Sequence, residues 1–203
     1  MDYNHIKQDI IPSLLEVLGD HAFDWEAVQK ASEMTAHAYG IVRLAFANSL
    51  DHVLKEIISY FGTSIEGSLK AEELSSLRTH EKIRHIFKVT LTVLTPYKEA
   101  LHSLTHYRVF MTQFPTVFST GYHSMDSAWY KAGDRSTDYN FYTKRLLLSI
   151  VCIPTFLFWL RPENDLIESM EFFDKRLAQV MKIPKIKNHI VQTVQSFFNR
   201  KAL

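Results

Sequence analysis

Residues 128–145, AWYKAGDRSTDYNFYTKR, are followed by a long apolar run at residues 146–160, LLLSIVCIPTFLFWL. The first stretch crowds aromatic and charged side chains around Gly133, a composition more typical of a surface that meets a partner than of a catalytic pocket. The apolar run is 15 residues long, whereas a membrane-spanning helix needs roughly 20. Pro154 interrupts it, and basic residues flank both of its ends. The run therefore predicts a buried core helix with a kink.

The composition predicts a globular, all-α protein. The 203 residues are 46% hydrophobic and carry a net charge of +1, which suits a real core and gives no global attraction to nucleic acid. Glycine and proline are scarce, six of each, and long stretches show helical periodicity without strand-like alternation. Because Cys152 is the single cysteine and lies among apolar residues, no intramolecular disulfide can form and an inert buried thiol is expected.

Caps, breakers and periodicity predict about nine or ten helices. Their expected spans are residues 5–18, 24–34, 35–47, 49–61, 71–95, 97–105, 115–132, 136–161, 164–181 and 184–203. Glycines and serines between Gly62 and Lys70 indicate a linker after a helix that ends at Gly62. The chain is thus expected to divide into an N-terminal region at 1–62, a helical domain at 71–181 and a terminal helix at 184–203.

The N-terminal region has the outline of a helix-turn-helix unit, three short helices followed by a longer one. Its candidate recognition helix at 36–46 has Arg43 as the only charged residue, whereas helices that read DNA present several polar or basic side chains. Between His21 and Tyr60 there are three basic and five acidic residues, a net charge of −2 that repels a polyanion. The pattern predicts a degenerate helix-turn-helix and no nucleic-acid partner.

Histidines and carboxylates give no catalytic pattern. His80 and His85 are spaced i, i+5 rather than the i, i+4 of zinc-protease helices. Glu99 and His102 form one Glu-x-x-His element, which di-iron bundles use twice, and the chain has no second copy. His102 and His106 share a helix face and could hold a stray metal ion, although solvated surface histidines are far commoner. We expect no catalytic residue, no metal and no cofactor.

The C-terminal segment is basic and amphipathic. From Lys182 to Leu203 there are five basic residues and no acidic one, beside an apolar stripe at helical spacing. The pattern predicts an interfacial membrane anchor, with a helix docked on the domain or on a partner subunit as the alternative. The expected membrane-binding residues are Lys185, Ile186, Lys187, Ile190, Val191, Val194, Phe197, Phe198, Arg200 and Lys201.

A stripe of large aromatic, methionine and aliphatic residues supplies a third feature. It comprises Phe110, Met111, Phe114, Phe118, Tyr122, Met125 and Trp129, together with Leu147, Ile150, Val151 and Phe158. Two interpretations stay open, a plain core and a cavity for a long apolar ligand, because large flexible side chains leave adaptable space.

One face of the helix predicted over 136–161 combines charge and aromatic rings. Asp138, Phe141, Tyr142 and Arg145 lie at i, i+3, i+4 and i+7. An aromatic pair flanked by opposite charges is typical of a protein interface. A surface ion pair with aromatics tucked into the fold is the alternative.

Residues 132–145, AGDRSTDYNFYTKR, closely resemble the hallmark segment of the COQ9 family of ubiquinone-biosynthesis accessory proteins. Shorter matches support the resemblance at 94–97 (LTPY), 127–129 (SAW), 172–176 (FFDKR) and 180–181 (VM). The resemblance is specific from about residue 74 to residue 181 and looser over the helix-turn-helix region.

The resemblance implies a TetR-like all-α fold that has lost DNA binding. It also implies a homodimeric accessory protein, not an enzyme, that binds an isoprenoid lipid or quinone intermediate and lies on a membrane through its terminal helix. The implied partner is the di-iron hydroxylase of the quinone pathway, contacted by Asp138, Phe141, Tyr142, Arg145 and, in the preceding helix, Ala128.

This chain departs from the family pattern at three positions. The family commonly has Trp in place of Phe141 and Met in place of Ala128, so the apolar contact with the hydroxylase is smaller here. Pro154 is also unusual and is expected to reshape the cavity wall.

Two other functions remain as alternatives, a TetR-type repressor that senses an apolar ligand and, last, a small metal-dependent hydroxylase. The N-terminus has neither a signal peptide nor an Arg/Ser-rich presequence. We expect a cytoplasmic protein, peripheral at the membrane, or a processed one on the matrix side of the inner membrane if it is mitochondrial.

Overall fold

The computed structural model describes residues 3–70, 77–107 and 150–181, and every regular element within those ranges is helical. The elements are α1 (Tyr3–Val17), α2 (Trp25–Met34), α3 (Tyr39–Ala45), α4 (Leu50–Ser68), α5 (Thr79–Leu94), a 3₁₀ turn (Thr95–Tyr97), α6 (Lys98–Thr105), α7 (residues 150–159) and α8 (Leu166–Met181). The predicted all-α class is confirmed. The helices expected at 115–132 and 184–203, and the first part of the one at 136–161, lie outside the described residues.

Helix α1 lies at the centre of the N-terminal region. Its apolar positions recur at helical spacing and are buried, among them Ile6, Ile10 and Leu14. They pack against α2, α3, α4 and α6. The same core cluster continues to Trp159 and Phe173, so the N-terminal helices share one core with α7 and α8. The division of the chain into three parts stays a prediction.

Helix α2 begins after its predicted cap, Asp24, but the residue that follows its end does not open the next helix as predicted. The carboxylate of Asp24 accepts the backbone N–H of Ala27 at 3.0 Å, which satisfies one of the free donors of the first turn. The expectation that Thr35 opens the next helix is wrong, because Thr35 caps the end of α2 and its hydroxyl donates to the carbonyl of Ala31 at 3.0 Å. Ala36 then takes a left-handed conformation with φ 55°, so the candidate recognition helix begins only at Tyr39.

The expectation that the fourth helix ends at Gly62 is also wrong, because α4 continues to Ser68 through the expected linker. Gly62 remains helical because Phe61 is buried beside it and α4 packs on α5. The hydroxyls of Thr63, Ser64 and Ser68 each donate to the carbonyl four residues earlier, at 2.8 to 3.1 Å. Their polar groups are thus satisfied within the helix, and tertiary packing overrides the local breaker signal.

Two later helices begin after their expected first residue. Helix α5 begins at Thr79 rather than at 71. Its start is fixed by the carboxylate of Glu81, which accepts the backbone N–H of Arg78 at 2.8 Å. Helix α8 begins at Leu166 after a reciprocal cap, in which Asp165 accepts the N–H of Glu168 at 2.8 Å and donates its own N–H to the Glu168 carboxylate at 3.3 Å. Between them, the break at Pro96 and the short helix up to Thr105 are confirmed.

Two contacts join α8 to α5. Phe173 is fully buried and stacks on Phe87 with ring centroids 4.8 Å apart. Beside this stack, the guanidinium of Arg84 donates twice to the carboxylate of Asp174, at 2.7 and 2.8 Å. The hydrogen bond to Asp174 raises the pKa of the Arg84 guanidinium. The FFDKR segment at 172–176 is therefore a packing segment that fixes α8 in place.

Candidate functional site

Most of the predicted site residues lie outside the described ranges. This holds for every predicted hydroxylase contact and for every predicted membrane-binding residue between 185 and 201. It also holds for the ligand-cavity residues Phe110, Met111, Phe114, Phe118, Tyr122, Met125, Trp129 and Leu147. The structure describes the remaining three predicted cavity residues, Ile150, Val151 and Phe158, which all belong to α7.

Helix α7 has two faces of different exposure, although almost all of its residues are apolar. Val151, Cys152 and Trp159 lie on the face that enters the core, and the buried hydroxyl of Thr155 donates to the carbonyl of Val151 at 2.8 Å. Ile150, by contrast, is 47% exposed. Of the three predicted cavity residues, Val151 therefore belongs to the core and Ile150 to the opposite side of the helix.

The exposed side of α7 is continuous. Ile150, Ile153, Pro154 and Leu157 lie at i, i+3, i+4 and i+7, which places them on one face. Leu157 is 46% exposed and the two middle residues are half-buried. We call these four residues the outward α7 face. Sequence reasoning missed Ile153 and Leu157, because a helix that is apolar on all sides gives no periodic signal for choosing a face.

Phe158 lies at the edge between the two faces and is covered by α8. Its ring stacks on Phe172 with centroids 4.6 Å apart and planes within 4° of parallel. The guanidinium of Arg176 lies 5.0 Å from the Phe172 ring on α8. The half-buried Phe158 thus forms part of the α7–α8 contact.

The turn after α7 is fastened to α6. The ammonium of Lys98 donates to the carbonyl of Asn164 at 2.7 Å and lies 5.6 Å from the centroid of the Trp159 ring. The side-chain amide of Asn164 in turn donates to the carbonyl of Phe158 at 2.6 Å. The carbonyl of Phe158, which also accepts the backbone N–H of Arg161 at 3.3 Å, is thus satisfied at the end of α7, where the regular helical donors run out.

Cys152 behaves as the sequence predicts. Its side chain is buried in the core beside Val151, and burial raises the pKa of its thiol far above the ordinary value. A thiol that stays protonated is a poor nucleophile. The prediction of a buried, inert cysteine is confirmed.

The helix-turn-helix keeps its framework, but the single cation of α3, the candidate recognition helix, is turned toward the fold. The guanidinium of Arg43 lies 4.6 Å from the centroid of the Trp25 ring and 5.9 Å from that of Tyr39. The exposed positions of α3 are Gly40 and Leu44, and Leu44 is 58% exposed. Since neither side chain reads base edges or binds phosphate, the outward surface of α3 is apolar and uncharged.

A cleft of about 530 Å³ lies between the α1–α2 turn and α6. The hydroxyl of Ser103 donates to the carbonyl of His21 at 2.6 Å, and the rings of Phe23 and Tyr107 meet edge to face at 4.8 Å. Burial, with a smaller contribution from the Asp51 charge, raises the pKa of Tyr107. The ionisable residues that line the cleft, Tyr107 aside, are Asp20, His21, Glu99, His102 and His106.

Among the described residues, no group of three or more His, Cys, Asp or Glu side chains is arranged to hold a metal ion. None of the helices at 3–70, 77–107 and 150–181 combines the length and the apolar character needed to cross a membrane.

The chain resembles known proteins along most of its length. Residues 114–184 match the family model described as COQ9. A protein of Dictyostelium discoideum, "Probable ubiquinone biosynthesis protein coq9, mitochondrial", is 30% identical over 126 residues, which cover 60% of this chain and 40% of that protein. The rat "Ubiquinone biosynthesis protein COQ9, mitochondrial" is 26% identical over 94% of this chain and 62% of its own length. The human protein of the same name is 21% identical over 94% of this chain and 61% of its own.

The chain spans 40% of the Dictyostelium relative and 62% of the rat relative. Among solved structures, a TetR transcriptional regulator from Nitrosomonas europaea superposes with a TM-score of 0.67 at 17% identity, covering 87% of this chain and 98% of that one. This likeness confirms the TetR-like fold and carries nothing further. The comparisons confirm the family resemblance indicated by residues 132–145: the chain carries a COQ9 family match on a TetR-like, all-α fold.

Proposed function

We propose that this chain is an accessory protein of ubiquinone biosynthesis and not an enzyme. It binds an isoprenoid lipid or quinone intermediate and presents it to the di-iron hydroxylase of the pathway, as a homodimer at a membrane surface. The names of the relatives support the pathway, and the outward α7 face, within the matched residues 114–184, supports an apolar ligand.

The outward α7 face carries the argument for a lipid. Over two turns it offers only aliphatic groups and a proline ring, so it has no side-chain donor or acceptor for a polar ligand. Covering a half-exposed Ile150 or Leu157 with hydrocarbon recovers roughly 1 kcal/mol for each side chain, about half the value for burying one completely. A ligand with a long apolar chain gains from all four residues, whereas a polar ligand gains from none.

The hydroxylase and membrane contacts rest on the sequence. The expected hydroxylase surface is the face formed by Asp138, Phe141, Tyr142 and Arg145, with Ala128 beside it, and the expected anchor is the basic helix at 184–203. The relatives are named mitochondrial, which favours the matrix side of the inner membrane for this protein as well. The TetR-type repressor remains the second candidate because of the fold, although Arg43 faces aromatic rings rather than a nucleic acid.

Native mass spectrometry of the purified chain tests the lipid role. We expect a co-purified isoprenoid lipid or quinone on the wild-type protein and at least a several-fold loss in the double variant Ile150→Ser, Leu157→Ser. Ile167→Ser is the matched control, since Ile167 on α8 is 71% exposed and lies outside the outward α7 face. An empty wild-type protein, or equal loss in both variants, contradicts the proposal.

Liposome flotation tests the anchor separately. The chain truncated after Ile183 loses four basic residues, namely Lys185, Lys187, Arg200 and Lys201, together with the whole apolar stripe. Since each basic residue near an anionic surface contributes about 1 kcal/mol, we expect the full chain to float with anionic vesicles and the truncated chain to stay in solution. Unchanged flotation of the truncated chain rejects the anchor and leaves the lipid role intact.

A further inference from the structure

The end of α6 places two imidazoles side by side at the cleft, one on the helix at His102 and one at its C-cap residue, His106. His102 and His106 lie at i, i+4, both are exposed, and their ring centroids are 4.7 Å apart with planes inclined by 53°. Both rings line the cleft between α6 and the α1–α2 turn. We propose that these two histidines form a binding pair for a divalent transition-metal ion of the Zn²⁺ class.

The hydrogen bonding of His106 favours metal ligation. Its Nδ1 lies 2.9 Å from the carbonyl oxygen of His102. Because a carbonyl only accepts, the ring must donate from Nδ1, which leaves the lone pair on Nε2 when the imidazole is neutral. Ligating histidines usually have their second ring nitrogen fixed in this way by a carbonyl or carboxylate. The Nε2 of His106 is therefore held ready as a ligand.

The spacing fits two ligands on one ion. Nitrogens bound to Zn²⁺ at about 2.0–2.1 Å are about 3–3.4 Å apart when they occupy neighbouring positions. Two imidazoles on one such ion therefore have ring centroids about 4.5–5.2 Å apart, and the centroids of His102 and His106 are 4.7 Å apart. Within the part of the chain that the structure describes, the ring nitrogens of His102 have no hydrogen-bond partner to break.

The opposite wall of the cleft does not add a third ligand. The Nε2 of His21 lies 3.3 Å from the ammonium of Lys30, which can only donate and so occupies the lone pair that a metal ion would need. No three His, Cys, Asp or Glu groups among the described residues have a metal-holding arrangement. Two imidazoles and solvent molecules thus complete the coordination, and imidazole is a ligand that suits Zn²⁺, Cu²⁺ and Ni²⁺.

Calorimetric titration of the tag-free chain with Zn²⁺ tests the pair. We expect one site per chain, and at least a tenfold loss of affinity in His102→Ala and in His106→Ala. His80→Ala is the matched control, because His80 is an exposed histidine. The other histidine on its helix, His85, is five residues away and therefore not on the same face. Absence of binding by the wild type at millimolar Zn²⁺, or wild-type affinity in both variants, overturns the proposal.

A measurement on the wild-type chain avoids any doubt about folding of the variants. Paramagnetic Cu²⁺ broadens the NMR signals of imidazoles that bind it. We expect His102 and His106 to broaden first and together as Cu²⁺ is added. First broadening of His5, His37 or His80 instead places the ion elsewhere and also overturns the proposal.

Discussion

The helix-turn-helix region, α1 to α4, and the α7–α8 region are both packed on one apolar core, but the residues on their outward surfaces differ. In the first, the single cation of the recognition helix stacks over Trp25, and the exposed residues of α3 are Gly40 and Leu44. In the second, an entire helix face from Ile150 to Leu157 stays outside the core. An isolated exposed leucine is ordinary on a protein surface, whereas a continuous apolar face marks a contact.

The two regions also differ in which side of the helix is preserved. A TetR-like framework needs the buried side of α3 only for packing, and that side is intact, with Val42 and Phe46 fully buried. The residues that would contact DNA are absent from the outward side. The apolar face of α7 is the surface to which our proposal assigns the lipid, so the proposed binding surface lies on α7 and not on α3.

The largest expected effect separates the two faces of α7. Trp159→Ala removes a fully buried ring that packs in the shared core and lies beneath Lys98. We expect a loss of about 3–5 kcal/mol in the free energy of unfolding, measured by denaturant titration.

Leu157→Ala, two residues away, is the control for that change. Because Leu157 is 46% exposed, we expect a loss below about 1 kcal/mol. Equal losses in the two variants contradict the division of α7 into a core face and an outward face.

Local signals were enough to predict much of the N-terminal fold. Asp24 as a helix cap, Pro96 as a break and the apolar spacing of α1 each act within a few residues of one another. The errors at Thr35 and Gly62 have the opposite character, because a threonine suits either end of a helix and a glycine stops one only if packing allows it. The packing of α4 on α5 decided the outcome at Gly62, whereas Thr35 ends α2 through its own hydrogen bond to the carbonyl of Ala31.

The candidate site was less predictable for the same physical reason. Arg84 and Asp174 are 90 residues apart in sequence, so nothing local pairs them. The sequence shows that Arg43 is the only charged residue of α3, but it does not show that the guanidinium packs over the ring of Trp25. In α7, only the packed structure distinguishes Val151 from Ile150, since both are aliphatic.

An intermediate effect on stability is expected when the N-cap of α2 is removed. This variant tests how much a local capping bond contributes to the stability of the helix-turn-helix. Asp24→Ala leaves the backbone N–H of Ala27 without its acceptor. We expect the free energy of unfolding to fall by about 1 kcal/mol. Asp24→Asn keeps a capping oxygen, so its free energy of unfolding should fall by only a few tenths of a kcal/mol. An equal loss in both variants indicates that the charge of Asp24, and not its capping bond, stabilises α2.

A smaller effect is expected at Arg43. Arg43→Ala removes the contact of the guanidinium with Trp25 and Tyr39, which contributes about 0.5–1 kcal/mol to stability at a partly exposed site. Arg43→Lys keeps the charge and should lose less. If Arg43→Ala changes stability by nothing measurable while abolishing binding to a DNA probe, the residue serves a nucleic acid and not the fold.

The smallest expected effect comes from restoring a charge to the outward surface of α3. Leu44→Arg exchanges a 58% exposed leucine for a base-reading residue, so stability should change by less than about 0.5 kcal/mol. The substitution shifts the net charge between His21 and Tyr60 only from −2 to −1, counting three basic and five acidic residues before it. One guanidinium on a surface that is still acidic cannot supply the several phosphate contacts that DNA binding requires. We therefore expect no mobility shift of duplex DNA at low salt in either protein. A shift gained by the variant would mean that the helix-turn-helix has kept its docking geometry and lacks only its charges.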